Sequence, residues 1–406
     1  MKIAISGYVG TKLTGIGRVL IEVLNEIAPI NRNDEYILFK NFDFNDYDVL
    51  RKHSNIKIVN INVSKNSSLK NILWHQWNFQ KLQKKYQCDV AYIPNFSLLL
   101  WKRIPTIVTI HDLIEFNVPN KFSKLRMMYR KVIDPLMVRN STFITSVSEC
   151  SKRDIIKFCD ANPKKIQVIP NAADRTRFKL YDEFVVSACL DKYGLKNKGY
   201  CLFVGTIDYP GKNIMSALEA YVSLKKKYRI QEKMVIVGKK GFNSEVIYDF
   251  VNNSEYKDDI IFTGYLSDED LPLIYSGAKV MIYLSYYEGF GLPVLEAMSC
   301  GIPVVCSNTS CFPEVIGDIP VGVSPTSIPD IEETMYRLIS DSEYSSEIAK
   351  QCYKRAELFS WKKAAKTLSM QVSAWGMPLF ILYRPVYNLT YKLKTHRNRR
   401  LFYVLR

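Results

Sequence analysis

The 406-residue sequence lacks the short spacings that hold metals or form redox sites. Its nine cysteines are scattered and never form a C-x-x-C pair, which argues against a zinc ribbon and a dithiol redox motif. Only four histidines occur, and His53, His75, His111 and His396 form no metal-ligand spacing. Scattered, unpaired thiols of this kind are typical of proteins in a reducing cytosol.

Long hydrophobic runs are also missing. No apolar stretch reaches the roughly 18 residues needed to cross a bilayer, which argues against an integral membrane protein. We expect no secretory leader, because Met1 and Lys2 lead directly into a short strand. A chain of this length exceeds what one hydrophobic core usually spans, so two domains are expected. The unpaired cysteines and the absence of an expected leader or membrane-spanning run indicate a cytoplasmic location.

Negative charge is scarce, because 56 lysines and arginines face 40 acidic residues, for a net charge of +16. This imbalance suits nucleic acid, anionic lipid or phosphorylated substrates. The tail, residues 376–406, has no acidic residue and interleaves basic with aromatic side chains, which predicts peripheral contact with an anionic membrane surface. The stretch 120–131 is a second basic candidate, although a solvated helix face explains it more simply. No nucleic-acid-reading motif occurs, so nucleic acid is not an expected partner.

Short apolar strands alternate with longer amphipathic segments, which is the pattern of parallel sheets covered by helices. Strands are predicted near 2–6, 36–40, 56–60, 88–93, 105–110, 142–147, 166–169, 200–205, 234–237, 259–263, 279–284 and 303–306. Helices are predicted near 15–28, 70–86, 121–138, 148–159, 213–227, 243–252, 268–276, 292–300, 328–341 and 344–358, with a linker and one helix in 172–198. The fold class is therefore α/β, with two doubly wound parallel sheets whose strand ends face a common cleft.

The most informative stretch is SYYEGFGLPVLEAMSCGIPVV, in which seven residues separate Glu288 from Glu296. The apolar run 279–284 predicts a buried parallel strand, and a helix begins near Leu292 and ends at Gly301. One carboxylate therefore follows the carboxyl end of a strand, and the other lies about one turn into the helix. Both are expected to face the same crevice.

Gly289 and Gly291 let the backbone turn between these carboxylates with little bulk nearby. The free N–H groups at the start of the following helix then predict a site for an anionic phosphate. Together with two carboxylates that accept hydroxyl groups, this arrangement suits a sugar nucleotide. The alternative is an ordinary strand–turn–helix unit with two solvated glutamates.

At these residues the chain resembles the retaining glycosyltransferases of family 4, whose fold is called GT-B. The E-x7-E element fits with its EGFGLP core. Further matching motifs follow the family order: GIGR (15–18), HDL (111–113), SVSECSKRDI (146–155), VIPNAAD (168–174), FVGTIDYPGKN (203–213), FTGYLSDEDL (262–271) and FPEV (312–315). The resemblance implies four parts: an acceptor-side domain over 1–190, a donor-nucleotide domain over 199–360, a crossover helix over 361–375 and the 376–406 tail.

The resemblance also implies roles for individual residues. Glu288 would bind the hydroxyls of the donor sugar, and Glu296 would bind those of the ribose. His111 matches a histidine that contacts the sugar near the reacting carbon, so His111 and Glu288 are the catalytic candidates. Lys212 would neutralise the diphosphate as charge builds on the leaving group. The other donor-binding candidates are Gly15, Gly17, Thr206, Tyr265, Leu266, Gly289, Phe290, Gly291 and Leu292.

Two positions depart from the family pattern. Many relatives carry arginine where Thr206 stands and another basic residue where Gly211 stands. Arg18 of the first domain is one candidate replacement for a missing phosphate-binding cation.

The resemblance implies transfer of a hexose or deoxyhexose from a nucleoside diphosphate sugar to a glycan hydroxyl, with retention of anomeric configuration. A lipid-linked acceptor and a role in surface polysaccharide synthesis, such as O-antigen or capsule, are the corresponding expectations. No cofactor is expected beyond the donor substrate. The D-x-D pairs Asp46/Asp48 and Asp268/Asp270 lie in a polar loop and at a helix start, so we expect metal independence.

Three other interpretations stay open. The same fold could serve a sugar-nucleotide epimerase or an inverting transferase, which product anomer analysis separates. A non-catalytic sugar-nucleotide-binding scaffold is a further alternative, and it would show no donor hydrolysis. By contrast, GTIDYPGKN is not a P-loop, since five residues separate its glycines and Asn213 replaces Ser or Thr. Leu20 likewise replaces the third glycine of a dinucleotide fingerprint.

Overall fold

A computed structural model describes residues 1–7, 15–41, 46–61, 73–95, 97 and 99–376. These residues form two separate parallel sheets, which confirms the predicted fold class. The basic aromatic tail from residue 377 onward lies outside the described residues, so the prediction of membrane contact there is not addressed.

The first sheet has seven strands in the order β3-β2-β1-β4-β5-β6-β7. They are β1 (Lys2–Ser6), β2 (Glu35–Asn41), β3 (Ile56–Ile61), β4 (Val90–Ile93), β5 (Thr106–Ile110), β6 (Phe143–Ser146) and β7 (Ile166–Val168). The order turns back at β1, where Ile3 pairs with Tyr36 on one side and with Val90 on the other. A ligand crevice is expected at such a reversal, beyond the carboxyl ends of the strands.

The second sheet has six strands in the order β10-β9-β8-β11-β12-β13. They are β8 (Tyr200–Val204), β9 (Lys233–Val237), β10 (Ile260–Gly264), β11 (Val280–Tyr283), β12 (Val304–Ser307) and β13 (Gly322–Val323). Its strands β8, β11 and β12 are buried along their whole length, as the continuous apolar runs predict. This order turns back between β8 and β11, so the loops after those two strands open into one crevice.

Helices connect the strands and cover both faces of each sheet. They are α1 (Gly15–Ile30), α2 (Gln80–Lys85), α3 (Ile114–Asn117), α4 (Lys124–Asn140), α5 (Glu149–Cys159), α6 (Glu183–Asp191), α7 (Ile214–Tyr228), α8 (Glu245–Asn252), α9 (Asp270–Gly277), α10 (Leu292–Ser299), α11 (Phe312–Ile316), α12 (Ile328–Ser340), α13 (Ser342–Ala356) and α14 (Trp361–Gly376). The nine cysteines are unpaired and buried. No helix in the described ranges is long and apolar enough to span a bilayer.

The elements that sequence periodicity misses are short. A π-helical segment, Trp74–Phe79, precedes α2 where a single longer helix was predicted. Helices α3 and α11 and the two-residue strand β13 were not predicted at all. Four or five residues cannot display a helical repeat, so tertiary contacts decide the conformation of these segments.

Helix α14 follows the second domain in sequence but packs in the core of the first. Its Trp361, Ala365 and Leu368 are buried in one cluster with Leu20 and Leu24 of α1. At the end of α1, Asn31 donates a hydrogen bond to the Ser369 hydroxyl of α14 at 2.7 Å. The end of the described chain is thereby attached to the domain where the chain begins.

Candidate active site between the two domains

A cavity of about 770 Å³ lies between the two domains at the carboxyl ends of both sheets. All but one of the predicted site residues line it: Gly15, His111, Thr206, Lys212, Tyr265, Leu266, Glu288, Gly289, Phe290, Gly291, Leu292 and Glu296. The exception is Gly17, which is buried in the first turn of α1 and does not contribute to the cavity wall. Distant segments of the chain therefore meet in one hollow.

The centre of the site is a three-residue charge cluster. The Lys212 ammonium forms an ion pair with Oε1 of Glu288 and donates a hydrogen bond to the Tyr283 hydroxyl at 2.9 Å. Tyr283 in turn donates to the same Glu288 oxygen at 3.2 Å. Burial lowers the pKa of Lys212, but the charge of Glu288 and the contacts with Glu288 and Tyr283 together outweigh it, and the pKa ends above its ordinary value. Lys212 is therefore a permanent cation in the cavity.

Glu288 is positioned by hydrogen bonds between its backbone and the Ser310 hydroxyl. It lies five residues beyond the end of β11, and its amide N–H donates to the Ser310 hydroxyl at 3.1 Å. The same hydroxyl donates back to the Glu288 carbonyl at 2.8 Å. Both backbone groups of the residue are thus satisfied by one side chain, which leaves the carboxylate free to project toward Lys212.

Glu296 lies in the second turn of α10, on the same cavity. The Tyr275 hydroxyl donates a hydrogen bond to its Oε2 at 3.0 Å. Burial raises the pKa of Glu296 to about 7, despite that hydrogen bond and the nearby charges of Arg177 and Arg18. A carboxyl group with such a pKa is partly protonated near neutrality, so it can donate as well as accept hydrogen bonds with a ligand hydroxyl.

Arg18 is bound to the opposite domain. Its guanidinium contacts both carboxylate oxygens of Asp268, at 2.6 and 2.8 Å, and Arg177 donates to the Asp268 backbone carbonyl at 2.8 Å. Arg18 also lines the cavity, so its role as a replacement for the cation missing at Thr206 or Gly211 stays a prediction. One nitrogen of its guanidinium makes both contacts to Asp268, which link the domains at the cavity edge.

Neither D-x-D pair resembles a metal site. Asp48 forms ion pairs with Lys40 and Arg51, and Asp270 contacts Lys192 and accepts a hydrogen bond from Tyr193. Across the described ranges, no group of three His, Cys, Asp or Glu residues is placed to hold an ion. Metal independence itself stays a prediction.

His111 follows β5 and is 8% exposed. Its Nε2 lies 2.9 Å from the Pro94 carbonyl, and since a carbonyl can only accept, Nε2 carries the proton. Burial lowers the pKa of His111 below its ordinary value, so the ring is neutral near pH 7. Nδ1 is then a hydrogen-bond acceptor, suited to orienting a hydroxyl group rather than to supplying a proton.

Gly289 brings the two domains into contact beside His111. A Cβ atom at this position would lie 1.9 Å from the His111 carbonyl oxygen, so no other residue fits without separating the backbones. The Ser148 hydroxyl donates to the Gly289 carbonyl at 2.7 Å and accepts from the Ser151 N–H at 3.0 Å. One serine thus caps a first-domain helix and binds the second-domain loop that carries Glu288.

A second contact joins the same helix to the second domain. The Glu314 carboxylate accepts hydrogen bonds from the backbone N–H groups of Glu149 and Cys150, both at 2.7 Å. These groups lie at the N-terminus of α5, where a negative charge also interacts favourably with the helix dipole. Glu314 of the FPEV motif is therefore an interdomain helix cap.

The loop 289–292 and the segment 264–266 form the remaining walls. Gly291, with φ of 84°, precedes α10 in the left-handed conformation that glycine adopts without strain. Leu266 is buried, whereas Tyr265 is 75% exposed and reaches the cavity rim. At the start of α10, Pro293 has no N–H and the Val294 N–H donates to the Gly291 carbonyl at 3.1 Å, so the Leu292 N–H is the group of the first turn that can meet an anionic ligand.

Several residues that shape the site were missed by sequence reasoning: Ser148, Ser151, Arg177, Asp268, Tyr275, Tyr283, Ser310 and Glu314. The sequence did contain a signal for two of these residues. Tyr283 places a polar tip at the end of a buried strand, and Glu314 lies in a motif already matched to the family. The others act through contacts between segments far apart in sequence, which periodicity and spacing do not reveal.

Comparison with known proteins agrees with this geometry. Residues 190–356 match the family model "Glycosyl transferases group 1", and residues 13–177 match the model "Glycosyltransferase Family 4". The chain is 29% identical over 365 residues to an O-antigen chain mannosyltransferase B of Escherichia coli, covering 86% of this chain and 93% of that protein. It is 27% identical over 326 residues to the O-antigen chain mannosyltransferase RfbU of Salmonella typhimurium, covering 78% and 84% respectively.

Among solved structures, Anabaena Alr3699/HepE in complex with UDP and glucose superposes with a TM-score of 0.72. The match covers 92% of this chain and 100% of that one, at 18% identity. At this level of identity the likeness concerns the fold alone.

Replacing Gly289 by alanine tests the domain contact. Because the new methyl group would overlap the His111 carbonyl, the domains cannot reach the observed approach, and glycosyl transfer should fall at least about 100-fold. Steady-state kinetics measure this loss. Gly194→Ala is the control and should retain activity, because a Cβ atom at Gly194 would meet nothing within 4 Å. Full activity in Gly289→Ala would contradict the inferred contact.

Glu296→Gln tests the burial of that carboxyl group. The folded-state pKa of about 7 lies above the ordinary 4.5, so the wild type loses stability as pH rises between these values. Glutamine carries no such cost, and the variant should be more stable than the wild type at pH 8, by on the order of 1–3 kcal/mol. Denaturant unfolding at pH 5 and pH 8 measures the difference, which should shrink at pH 5. A difference in stability that does not change with pH would argue against a raised pKa of Glu296. Glu343→Gln serves as the reference variant, because Glu343 is exposed.

Proposed function

We propose, since the chain belongs to glycosyltransferase family 4, that it transfers a hexose from a nucleoside diphosphate sugar to a hydroxyl of a growing surface glycan. The observation that carries this proposal is the convergence of Lys212, Glu288 and Glu296 on one interdomain cavity. A cation beside two hydroxyl-binding carboxyl groups suits an activated sugar, whose diphosphate and ring hydroxyls need both kinds of partner.

The diphosphate is proposed to lie between Lys212 and the Leu292 N–H at the start of α10. The Lys212 ammonium is fixed in place by Tyr283 and Glu288, so little reorganisation is needed when charge develops on the leaving group. A permanent cation and a helix N-terminus supply the stabilisation that a divalent metal gives in other transferases. We therefore propose metal independence, with activity unchanged in EDTA.

The sugar is proposed to lie toward Glu288 and His111, and the ribose toward Glu296. His111 is neutral and held through Nε2, so its Nδ1 can accept a hydrogen bond from a sugar hydroxyl. In this orientation the acceptor approaches from the first domain, whose α1 and β5 ends line the opposite wall. Retention of anomeric configuration is part of the proposal, and NMR of the product anomer tests it.

Mannose is the sugar we propose first. Two relatives that the chain covers over most of their length are described as O-antigen chain mannosyltransferases. GDP-mannose is therefore the donor to test first, beside UDP- and dTDP-sugars. The acceptor is proposed to be a lipid-linked oligosaccharide, which would bring the protein to a membrane surface.

Helix α4 offers a surface for that contact. Leu125, Met128 and Val132 are 80%, 67% and 60% exposed and share one helix face, and Lys124 and Lys131 lie beside them. Two other basic residues of the 120–131 stretch do not belong to this face. Lys121 is buried against Asp208, and Arg130 pairs with Glu115 and Asp134. The exposed part of the stretch is thus amphipathic, as peripheral membrane helices are.

Glu288→Gln tests the proposed chemistry. The amide keeps the shape of the side chain but loses the charge that pairs with Lys212, so turnover should fall by about 100-fold or more with the fold intact. Transfer from GDP-mannose and the other donors to a lipid-linked acceptor measures the effect. Glu332→Gln is a matched control, because Glu332 also pairs with a lysine, Lys227, but lies outside the cavity. Near wild-type turnover in Glu288→Gln would contradict the assignment.

Sedimentation with liposomes tests the membrane surface. Full-length Leu125→Ser/Met128→Ser/Val132→Ser should bind vesicles containing phosphatidylglycerol several-fold less than the wild type, since apolar area and not charge is removed. Phe184→Ser removes an equally exposed apolar side chain from α6 and should bind normally. Equal recovery of the wild type with neutral and anionic vesicles would contradict the proposal.

A further inference from the structure

Lys121 enters the donor domain from the first domain. It lies in the segment between α3 and α4, yet its side chain crosses the domain boundary and passes over the backbone of Gly211. A Cβ atom at position 211 would lie 2.2 Å from the Lys121 Nζ and 2.5 Å from its Cδ. The absence of a side chain at Gly211 therefore makes room for a lysine from the other domain.

The Lys121 ammonium is bound to the loop that carries Lys212. Its Nζ lies 2.5 Å from Oδ1 of Asp208, and both side chains are nearly buried, at 5% and 7% exposed. The same Asp208 oxygen accepts the backbone N–H of Lys212 at 3.0 Å. One carboxylate oxygen thus joins a first-domain ammonium to the backbone of the residue that contacts Glu288.

The opposite side of this loop is fixed by its own domain. The Gly211 carbonyl accepts hydrogen bonds from the Ser285 hydroxyl at 3.1 Å and from the Tyr286 N–H at 3.2 Å. The loop 208–212 therefore lies between the end of β11 and Lys121. Removing Lys121 would leave Asp208 buried without its cation and would free one side of the loop.

We propose that Lys121 is a positioning residue for the donor site: through Asp208 it holds Lys212 in place, and it does so only when the two domains are closed. The proposal rests on the proposed donor binding at Lys212. A cation carried at position 211 itself would be present whether the domains are open or closed. Supplying it from the first domain makes the donor site complete in the closed arrangement alone.

The charges around Lys121 agree with this role. Burial holds the pKa of Lys121 below its ordinary value, although the charge of Asp208 raises it in part. Lys121 therefore neutralises the buried Asp208 next to the site proposed for the diphosphate, without itself forming part of the cavity wall.

Lys121→Met tests the proposal, since methionine keeps most of the apolar stem and removes the charge. The KM for the donor should rise about 10-fold or more, and the increase in melting temperature caused by GDP or UDP should largely disappear. Lys225→Met is the matched control: Lys225 is 7% exposed and paired with Asp259 at 2.9 Å within the second domain. That variant should lose stability but keep the donor KM. If both variants lose stability and neither changes the donor KM, the proposal is overturned.

A double-mutant cycle with Gly211→Ala sharpens the test. The added methyl group would displace the Lys121 ammonium, so Gly211→Ala alone should reproduce the effect of Lys121→Met. In a Lys121→Ala background the same change should have little further effect, because the side-chain atoms that the methyl group would displace are gone. Equal fold-losses in both backgrounds would show that Gly211 and Lys121 act independently, which contradicts the proposal.

These outcomes separate this inference from the proposed function. If the wild type transfers sugar and Lys121→Met has an unchanged donor KM, only the role of Lys121 fails. In the second case the wild type transfers no sugar, but GDP or UDP raises the melting temperature of the wild type and not that of Lys121→Met. The positioning role then stands and the proposed transfer fails.

Discussion

The approach of the Gly289 backbone to the His111 carbonyl is the contact on which the rest of the cleft depends. It leaves no room for a side chain at Gly289, and it brings a strand end of each domain to the same point. Glu288 precedes this contact by one residue and is fixed by Ser310, so its carboxylate is directed into the cavity. With the domains further apart, His111 and Glu288 would lie on two separate surfaces.

The interdomain contacts share a chemical pattern. In each, a charged or hydroxyl group of one domain pairs with a charged or backbone group of the other: Arg18 with Asp268, Lys121 with Asp208, Ser148 with Gly289 and Glu314 with the start of α5. Buried ion pairs are weak contributors to stability, because desolvation offsets much of their attraction. Their geometric precision is their more useful property here, since it fixes Lys212 and Glu288 relative to His111 before any ligand binds.

The local part of the fold could be predicted from sequence. Apolar runs and helical periodicity gave all the described strands but β13 and most helices to within a few residues, and the E-x7-E spacing gave two of the carboxyl groups that line the cavity. The contacts between domains could not be predicted in this way. Arg18 and Asp268 are 250 residues apart, and Glu149 and Glu314 are 165 apart, so no local pattern relates them.

Two residues have partners that the sequence does not show. Arg18, a candidate phosphate cation, pairs with Asp268, and Lys121, counted in a basic stretch, is buried against Asp208. Both residues have partners in the other domain. The sequence reveals that a position such as Gly211 is unusual, whereas only the packed structure reveals which residue occupies the space it leaves.

A crystal structure of the protein with GDP-mannose or its product GDP tests the central claim most directly. The account predicts that the diphosphate lies within hydrogen-bonding distance of the Lys212 ammonium and the Leu292 N–H, with the ribose hydroxyls at Glu296. Density for the nucleotide outside the interdomain cavity, or bound there with its phosphates directed away from Lys212, would contradict it.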